Sequence, residues 1–145
     1  MGEPARVREA RLEDAPAIAA LVAQLGYPTP PAEMKARLAV LLARPDHVIF
    51  VADVSGSVVG LVGAYLVEAL EFTGAYGRLS GMVVDEKWRG RGTGRLLMEW
   101  VERWLREQGA RMLILTSGNQ RAEAHRFYRR LGYTETGLRF AKLLE

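Results

Sequence analysis

The sequence contains no cysteine. A disulfide framework, a thiolate metal site and a cysteine nucleophile are therefore excluded, and a reducing compartment is suited. Histidine is scarce as well: His47 and His125 stand far apart, which disfavours a metal centre built on imidazole. No stretch approaches the ~20 apolar residues that a bilayer span needs, and no apolar run of signal-peptide type follows Met1-Gly2-Glu3-Pro4-Ala5-Arg6. A soluble, cytoplasmic protein without metal or membrane contact is expected. Lysine is nearly missing too, with only Lys35, Lys87 and Lys142 among the 20 basic residues. The formal charge of +3 is small and the arginines are spread along the chain, so the electrostatic footprint of a nucleic-acid binder is weak.

What is present describes one ordinary domain spanning residues 1–145, with 49% hydrophobic and 26% charged residues and enough chain to bury a core. Residues 7–11 read as a first strand. Leu12-Glu13-Asp14 opens a helix with Ile18, Leu21, Val22 and Leu25 at helical spacing, ended by Gly26. Pro28, Pro30 and Pro31 forbid helix interior between there and a second helix that starts near Pro31 and carries Met34, Leu38, Leu41 and Leu42. The pattern then changes period. Residues 47–53 and 58–67 are rich in β-branched and aromatic side chains around the turn signal Ser55-Gly56-Ser57, which predicts a hairpin. Residues 79–84 form another strand, where Gly81 signals a bulge or a close backbone approach. A strongly amphipathic helix follows from Gly92 to about Glu107, with Thr93, Leu96, Leu97, Trp100, Val101, Trp104 and Leu105 as its apolar stripe. Glu99 with Arg103, and Glu102 with Arg106, are spaced to pair on its outer side. Residues 111–116 read as a strand, residues 119–131 as a helix capped by Gly132, and residues 133–144 as one or two final strands.

Chemistry concentrates in Val83-Val84-Asp85-Glu86-Lys87-Trp88-Arg89-Gly90-Arg91-Gly92-Thr93-Gly94-Arg95. A strand runs through a short loop into a helix, so the free amides and positive dipole end of that helix face the loop. Glycines 90, 92 and 94 let backbone approach an oxygen cluster, and Arg89, Arg91 and Arg95 add charge-assisted donors. A nucleotide-hydrolysing loop requires Gly-Lys-Ser/Thr, and no lysine stands there. The dinucleotide fingerprint fails as well, because Leu97 or Arg95 occupies the place of its third glycine.

The pattern that remains, Arg-x-x-Gly-x-Gly at 89–94, resembles the coenzyme-binding motif of the GNAT acetyltransferase superfamily. A second stretch carries the same resemblance: Thr116, then Asn119, then a helix with Phe127-Tyr128 and Gly132-Tyr133. It is strong over residues 83–133. Before that it is architectural only. The resemblance implies an α/β sandwich with a mixed, mostly antiparallel sheet of six or seven strands flanked by about four helices. It also implies acetyl-CoA as acyl-donor substrate and a homodimer. Met82, Val83, Val84, Arg89, Gly90, Arg91, Gly92, Thr93, Gly94, Arg95 and Asn119 would contact the coenzyme, and a Gly81 bulge would splay this strand from the next near Thr116.

By the same resemblance Tyr128 protonates the leaving thiolate, for which a phenol of pKa about 10 is suitably matched. Helical spacing with Ala124 and Leu131 also fits core packing for Tyr128, and Asn119 also fits a helix N-cap. His125, beside Arg126, reads as structural. Backbone amides around Val83 and Val84 are the candidate oxyanion donors. Many relatives carry a glutamate base on this strand. Here Arg78, Leu79, Ser80 and Gly81 occupy that stretch, leaving Glu68, Glu71 and Glu33 as fallback acids and the base unassigned. The Ala124–Tyr128 run and Arg139-Phe140-Ala141-Lys142 are similar to the aminoalkylphosphonate acetyltransferases; a small primary amine is the broader expectation for the acceptor, with a protein or an aminoglycoside as alternatives and Tyr27, Pro30, Phe72 and Tyr76 on its side. The competing class is a non-catalytic acyl-CoA-binding module, favoured by the missing strand acid.

Overall fold

The computed structural model describes residues 3–117 and 122–144. Residues up to Ile114 form one compact unit and those from Leu115 onward a second. In the first unit, β1 (Arg6–Glu9), β2 (His47–Val54), β3 (Ser57–Glu68), β4 (Ala75–Val84) and β5 (Leu113–Ile114) make one sheet in that spatial order. β1 to β4 are antiparallel neighbours, and β5 runs parallel to β4. The helices are α1 (Ala15–Gln24), α2 (Pro31–Leu42), α3 (Thr93–Glu107) and, in the second unit, α4 (Ala122–Arg130).

The expected helices are found close to their predicted bounds. Leu12–Asp14 is a 3-10 turn leading into α1 rather than its first turn, and Pro31 opens α2. The hairpin turn forms at Ser55 (φ 50°) and Gly56 (φ 91°), the pair of positive φ values that suits the twist of the strands it joins.

The sheet has five strands, not six or seven. Residues 133–144 are not in a strand, although Leu138 and Phe140 alternate as strand residues would. Alternation supplies a face, whereas a strand also needs a ladder partner and a surface to cover. Leu138 and Phe140 are 78% and 87% exposed, so that surface is lacking. β4 in turn begins at Ala75 rather than 79, because residues 75–79 pair with 64–68 of β3.

Two apolar layers fix the sheet. On one face Ile18, Leu21, Met34 and Leu38 of α1 and α2 pack with Ile49, Val51, Leu61 and Val83. On the other lies α3, whose Leu97, Met98, Val101 and Leu105 are almost completely buried; each such side chain contributes roughly 1.5–3 kcal/mol. Glycines let α3 come close: a Cβ on Gly60 would stand 3.1 Å from Leu97 Cδ1, and one on Gly77 2.5 Å from Leu105 Cδ2. An ionic clamp ties the strands to α1. Arg8 donates to both oxygens of Asp14 at 2.9 Å and to Asp53 at 3.0 Å. Asp14 also accepts from the Arg11 amide at 2.7 Å.

Candidate active site

The middle of β4 is irregular, as Gly81 predicted. Gly63 pairs with Gly81, yet Ala64 pairs with Leu79, so Ser80 is an inserted residue. Such an insertion reverses which backbone groups face which neighbour. Before it, the Ala75 carbonyl accepts from Arg111 and the Gly77 amide donates to Met112, so odd residues point to the β5 side. Beyond it, the Asp85 amide donates to Val59 of β3 at 2.8 Å. Alternation then turns the backbone groups of residues 81 and 83 toward β3 and those of Met82 and Val84 away from it. The Val84 carbonyl accepts from Arg89 Nε at 3.1 Å, in keeping with that direction. Pairing of β4 with β5 is confined to Gly77 and Arg78. The edge of β4 at Met82 and Val84 therefore has no strand partner among the described residues, and Val83, whose amide is turned into the ladder, is not an outward donor.

From Val84 the chain enters a loop tied down at several points. Asp85 accepts from the Lys87 amide at 2.9 Å, Gln24 of α1 accepts from the Glu86 amide at 3.2 Å, and Arg91 lies over the Trp88 ring at 4.4 Å. Gly90 (φ 79°) and Gly92 (φ 81°) both occupy the left-handed region, where a Cβ costs roughly 1–2 kcal/mol. Gly92 is the N-cap of α3, with no side chain capping it. The first intrahelical bond runs from the Leu96 amide to the Gly92 carbonyl. The amides of Thr93, Gly94 and Arg95 precede it and have no acceptor within the helix. Thr93 is buried and anchors this turn to the sheet.

The three arginines are not equivalent. Arg89 holds the Val84 carbonyl, Arg91 stacks on Trp88, and Arg95 reaches Glu99 at 3.4 Å. The result is a glycine-lined cradle of uncapped amides with cations at its rim, chemically fitted to an anion the size of a pyrophosphate. Beside it lies an open strand edge fitted to amide groups.

A profile of the Acetyltransferase (GNAT) family matches residues 9–133. The chain belongs to the GNAT acetyltransferase family. The aminoalkylphosphonate N-acetyltransferase of Salmonella typhimurium is 34% identical over 90 residues, 62% of this chain and 58% of that protein. The match thus spans little more than half the length of that relative. An uncharacterised N-acetyltransferase of Chlorobaculum tepidum is 33% identical over 136 residues, 89% of this chain and 75% of that one. Among solved structures, a GNAT acetyltransferase of Staphylococcus aureus superposes with TM-score 0.84 at 23% identity, covering 98% of this chain and 100% of that one. AAC(6')-Iy in complex with the bisubstrate analogue CoA-S-monomethyl-acetylneamine gives TM-score 0.86 at 19% identity, covering 99% of each chain. GNAT enzymes use acetyl-CoA as donor.

Of the predicted GNAT site residues, Met82, Val83, Val84 and the whole of 89–95 fall within the first unit. Asn119 lies outside the described residues. Tyr128 sits in α4 of the second unit, half-buried, its ring edge-on to Phe127 at 5.2 Å and to Tyr133 at 5.9 Å. The Tyr133 amide donates back to the Tyr128 carbonyl at 3.0 Å, and Gly132 (φ 96°) ends the helix.

Among the other candidates, Glu33 is exposed and 3.8 Å from Arg37, while Glu68 and Glu71 are exposed at the far end of the β3–β4 ribbon. Tyr27 is 68% exposed, whereas Phe72 and Tyr76 lie 6.3 Å apart with Arg111 over Phe72 at 4.6 Å. Sequence reasoning missed Gln24 and the stack of His47 on Tyr65, rings 5.0 Å apart. Strand alternation could have found the stack; nothing local could have found Gln24, since its partner lies 62 residues away.

Proposed function

We propose that the chain transfers the acetyl group of acetyl-CoA to the amine of a small molecule, by direct attack with both substrates bound. The observation that carries this is the pairing of a bulge-freed strand edge at Met82 and Val84 with the uncapped α3 amides behind Gly90 and Gly92. The edge suits the amides of an extended pantetheine arm, and the cradle suits the pyrophosphate. Asn119 adds a contact to the arm. A neutral amine then attacks the thioester carbonyl, the C–S bond breaks as the tetrahedral species collapses, and Tyr128 supplies the proton to the departing thiolate. The Met82 and Val84 backbone offers the amides for the oxyanion. The proton lost by the amine passes to solvent.

Both units would act as a single N-acetyltransferase domain in the cytoplasm, as a homodimer, without metal or nucleic acid. Thiol release from acetyl-CoA over a panel of primary amines tests the transfer, and light scattering tests the assembly. A second reading, a coenzyme-binding module without turnover, is favoured by the absence of a carboxylate from 75–84 of β4. Tight acetyl-CoA binding with no thiol release on any amine would establish it.

A further inference from the structure

The insertion in β4 leaves a space on the sheet beside Met82. β3 carries no inserted residue, so alternation from Leu61, which packs with α1 and α2, puts Gly63 on the same face and Val62 and Ala64 on the α3 side. Gly81 pairs with Gly63, and directly paired residues share a face. Ser80 joins them, because a Cβ on Gly63 would stand 2.5 Å from its hydroxyl. Two consecutive residues of β4 thus look to one side, and the second has no side chain.

Nothing among the described residues requires that glycine. Gly81 has no positive φ, and a Cβ built on it meets no atom of the described residues within 4 Å, its two chain neighbours aside. Gly60 and Gly77 differ, since α3 crowds both. An unfilled position facing a second glycine is a niche, walled by Ser80 and by Ile49, whose Cγ1 lies 3.7 Å from the Cβ position of Gly63. Solvent reaches it, because Ser80 is exposed. On the opposite face Val62 and Ala64 are fully buried.

A nucleophile approaching a carbonyl held at the Met82 amide therefore comes from the niche side. Ser80 and Met82 are two residues apart, on the order of 6–7 Å along the strand. Contacts of about 3 Å from the hydroxyl to a nitrogen, and from that nitrogen to the carbonyl carbon, fill this span. A serine hydroxyl has two lone pairs and one proton, so it can accept an N–H of a primary amine while donating to water. It is not itself a base at neutral pH, and the amine must arrive uncharged.

Resting on the acetyltransferase function proposed above, we propose that the niche over Gly63 and Gly81 seats the acceptor nitrogen and that Ser80 aims it at the thioester carbon by accepting one of its N–H groups. The N–C bond forms, the C–S bond breaks, and the thiolate takes its proton from Tyr128. The proton lost by the nitrogen passes to water bound at the Ser80 hydroxyl, on a strand that offers no carboxylate between 75 and 84.

Thiol release from acetyl-CoA is followed for 2-aminoethylphosphonate, kanamycin and propylamine, which share little beyond a primary amine, in the native chain and in Gly81→Ala, Ser80→Ala and Ser80→Thr. Gly81→Ala fills the niche without crowding the fold. Its thermal midpoint should equal or exceed the native one, its coenzyme A affinity by calorimetry should be unchanged, and kcat/KM should fall at least about tenfold on every amine the native chain uses. Ser80→Ala should lower kcat by about tenfold with coenzyme affinity unchanged, and Ser80→Thr should recover part of it. In the native chain the rise of kcat/KM with pH should follow the amine's own basicity, coming at lower pH for the weaker base. A rise fixed at one pH for every amine would assign the proton to a group of the chain and overturn the water path. Native turnover in Gly81→Ala or in Ser80→Ala overturns the niche while leaving transfer intact, and a lowered midpoint in Gly81→Ala overturns it by showing that space to be filled. Bound coenzyme with no thiol release on any amine removes the transfer, and the role of the niche with it.

Discussion

Replacing Gly63 by alanine tests the bulge directly. Its new methyl would stand 2.5 Å from Ser80 Oγ, about 1 Å inside the ~3.5 Å of ordinary contact. The other neighbours, Ile49 Cγ1 and the Val48 carbonyl, are at 3.7 Å and need not move. Ser80 is exposed, so its hydroxyl can swing away at about 0.5–1.5 kcal/mol for a strained rotamer. A bulge that must shift its backbone instead costs about 1–3 kcal/mol. Against this, alanine stiffens the unfolded chain by about 0.4–1 kcal/mol. The single variant should therefore lie between a gain of about 0.5 and a loss of about 2.6 kcal/mol, close to neutral if only the hydroxyl moves. Ser80→Ala removes the colliding oxygen, so the double variant should regain about 1 kcal/mol relative to the sum of the singles. Urea unfolding with unchanged slope measures this, and at this chain length 1 kcal/mol corresponds to about 2–4 °C in Tm. Additivity within about 0.3 kcal/mol, the behaviour of independent sites, would show that Ser80 does not occupy the space over Gly63.

Gly92→Val drives the turn away from φ 81° to escape roughly 1–2 kcal/mol of left-handed strain, which dismantles the cradle; coenzyme affinity by calorimetry should fall at least about tenfold. Equal affinity would refute the cradle. Tyr128→Phe should lower turnover by about a hundredfold while the coenzyme Kd stays within about twofold; full turnover would remove Tyr128 from the chemistry. The hydrogen bonds from Arg8 hold the Asp14 carboxyl below its usual range, outweighing the opposing effect of burial. Its contribution is complete above the ordinary carboxylate range and is lost as pH falls through the lower folded value. Asp14→Asn should cost about 1–3 kcal/mol at neutral pH and flatten the acid limb of stability; an unchanged limb would place that pH dependence elsewhere.

Local pattern made the helices and the strand–loop–helix around 83–95 readable. Period 3.6 marks Thr93, Leu97, Val101 and Leu105 as the buried stripe of α3, and Gly90 and Gly92 mark the left-handed turn that leads into it. What depends on distant partners was not readable. Glu102 does pair with Arg106 at 3.6 Å, but Glu99 takes Arg95 while Arg103 settles over Trp100. The start of β4 at 75 was hidden because those residues are set by pairing with β3; Gly77 is a glycine because Leu105 fills the space of its side chain. The Arg8 clamp joins residues 45 apart, which no window reaches. Residues 133–144 show the converse, a strand-like pattern with no ladder to join.

The loop at 85–95, proposed to hold the coenzyme, is held by the protein itself: by Gln24 from α1, by Asp85, by Arg89 on Val84 and by Arg91 on Trp88. Its shape is thus settled during folding rather than at the moment of encounter. A ligand that meets a site already in its bound form loses less of its gross interaction energy to ordering the chain. Donor association should consequently show a small entropic penalty and little dependence on rearrangement of 85–95, and loosening any one tether should act mainly on how long the coenzyme stays.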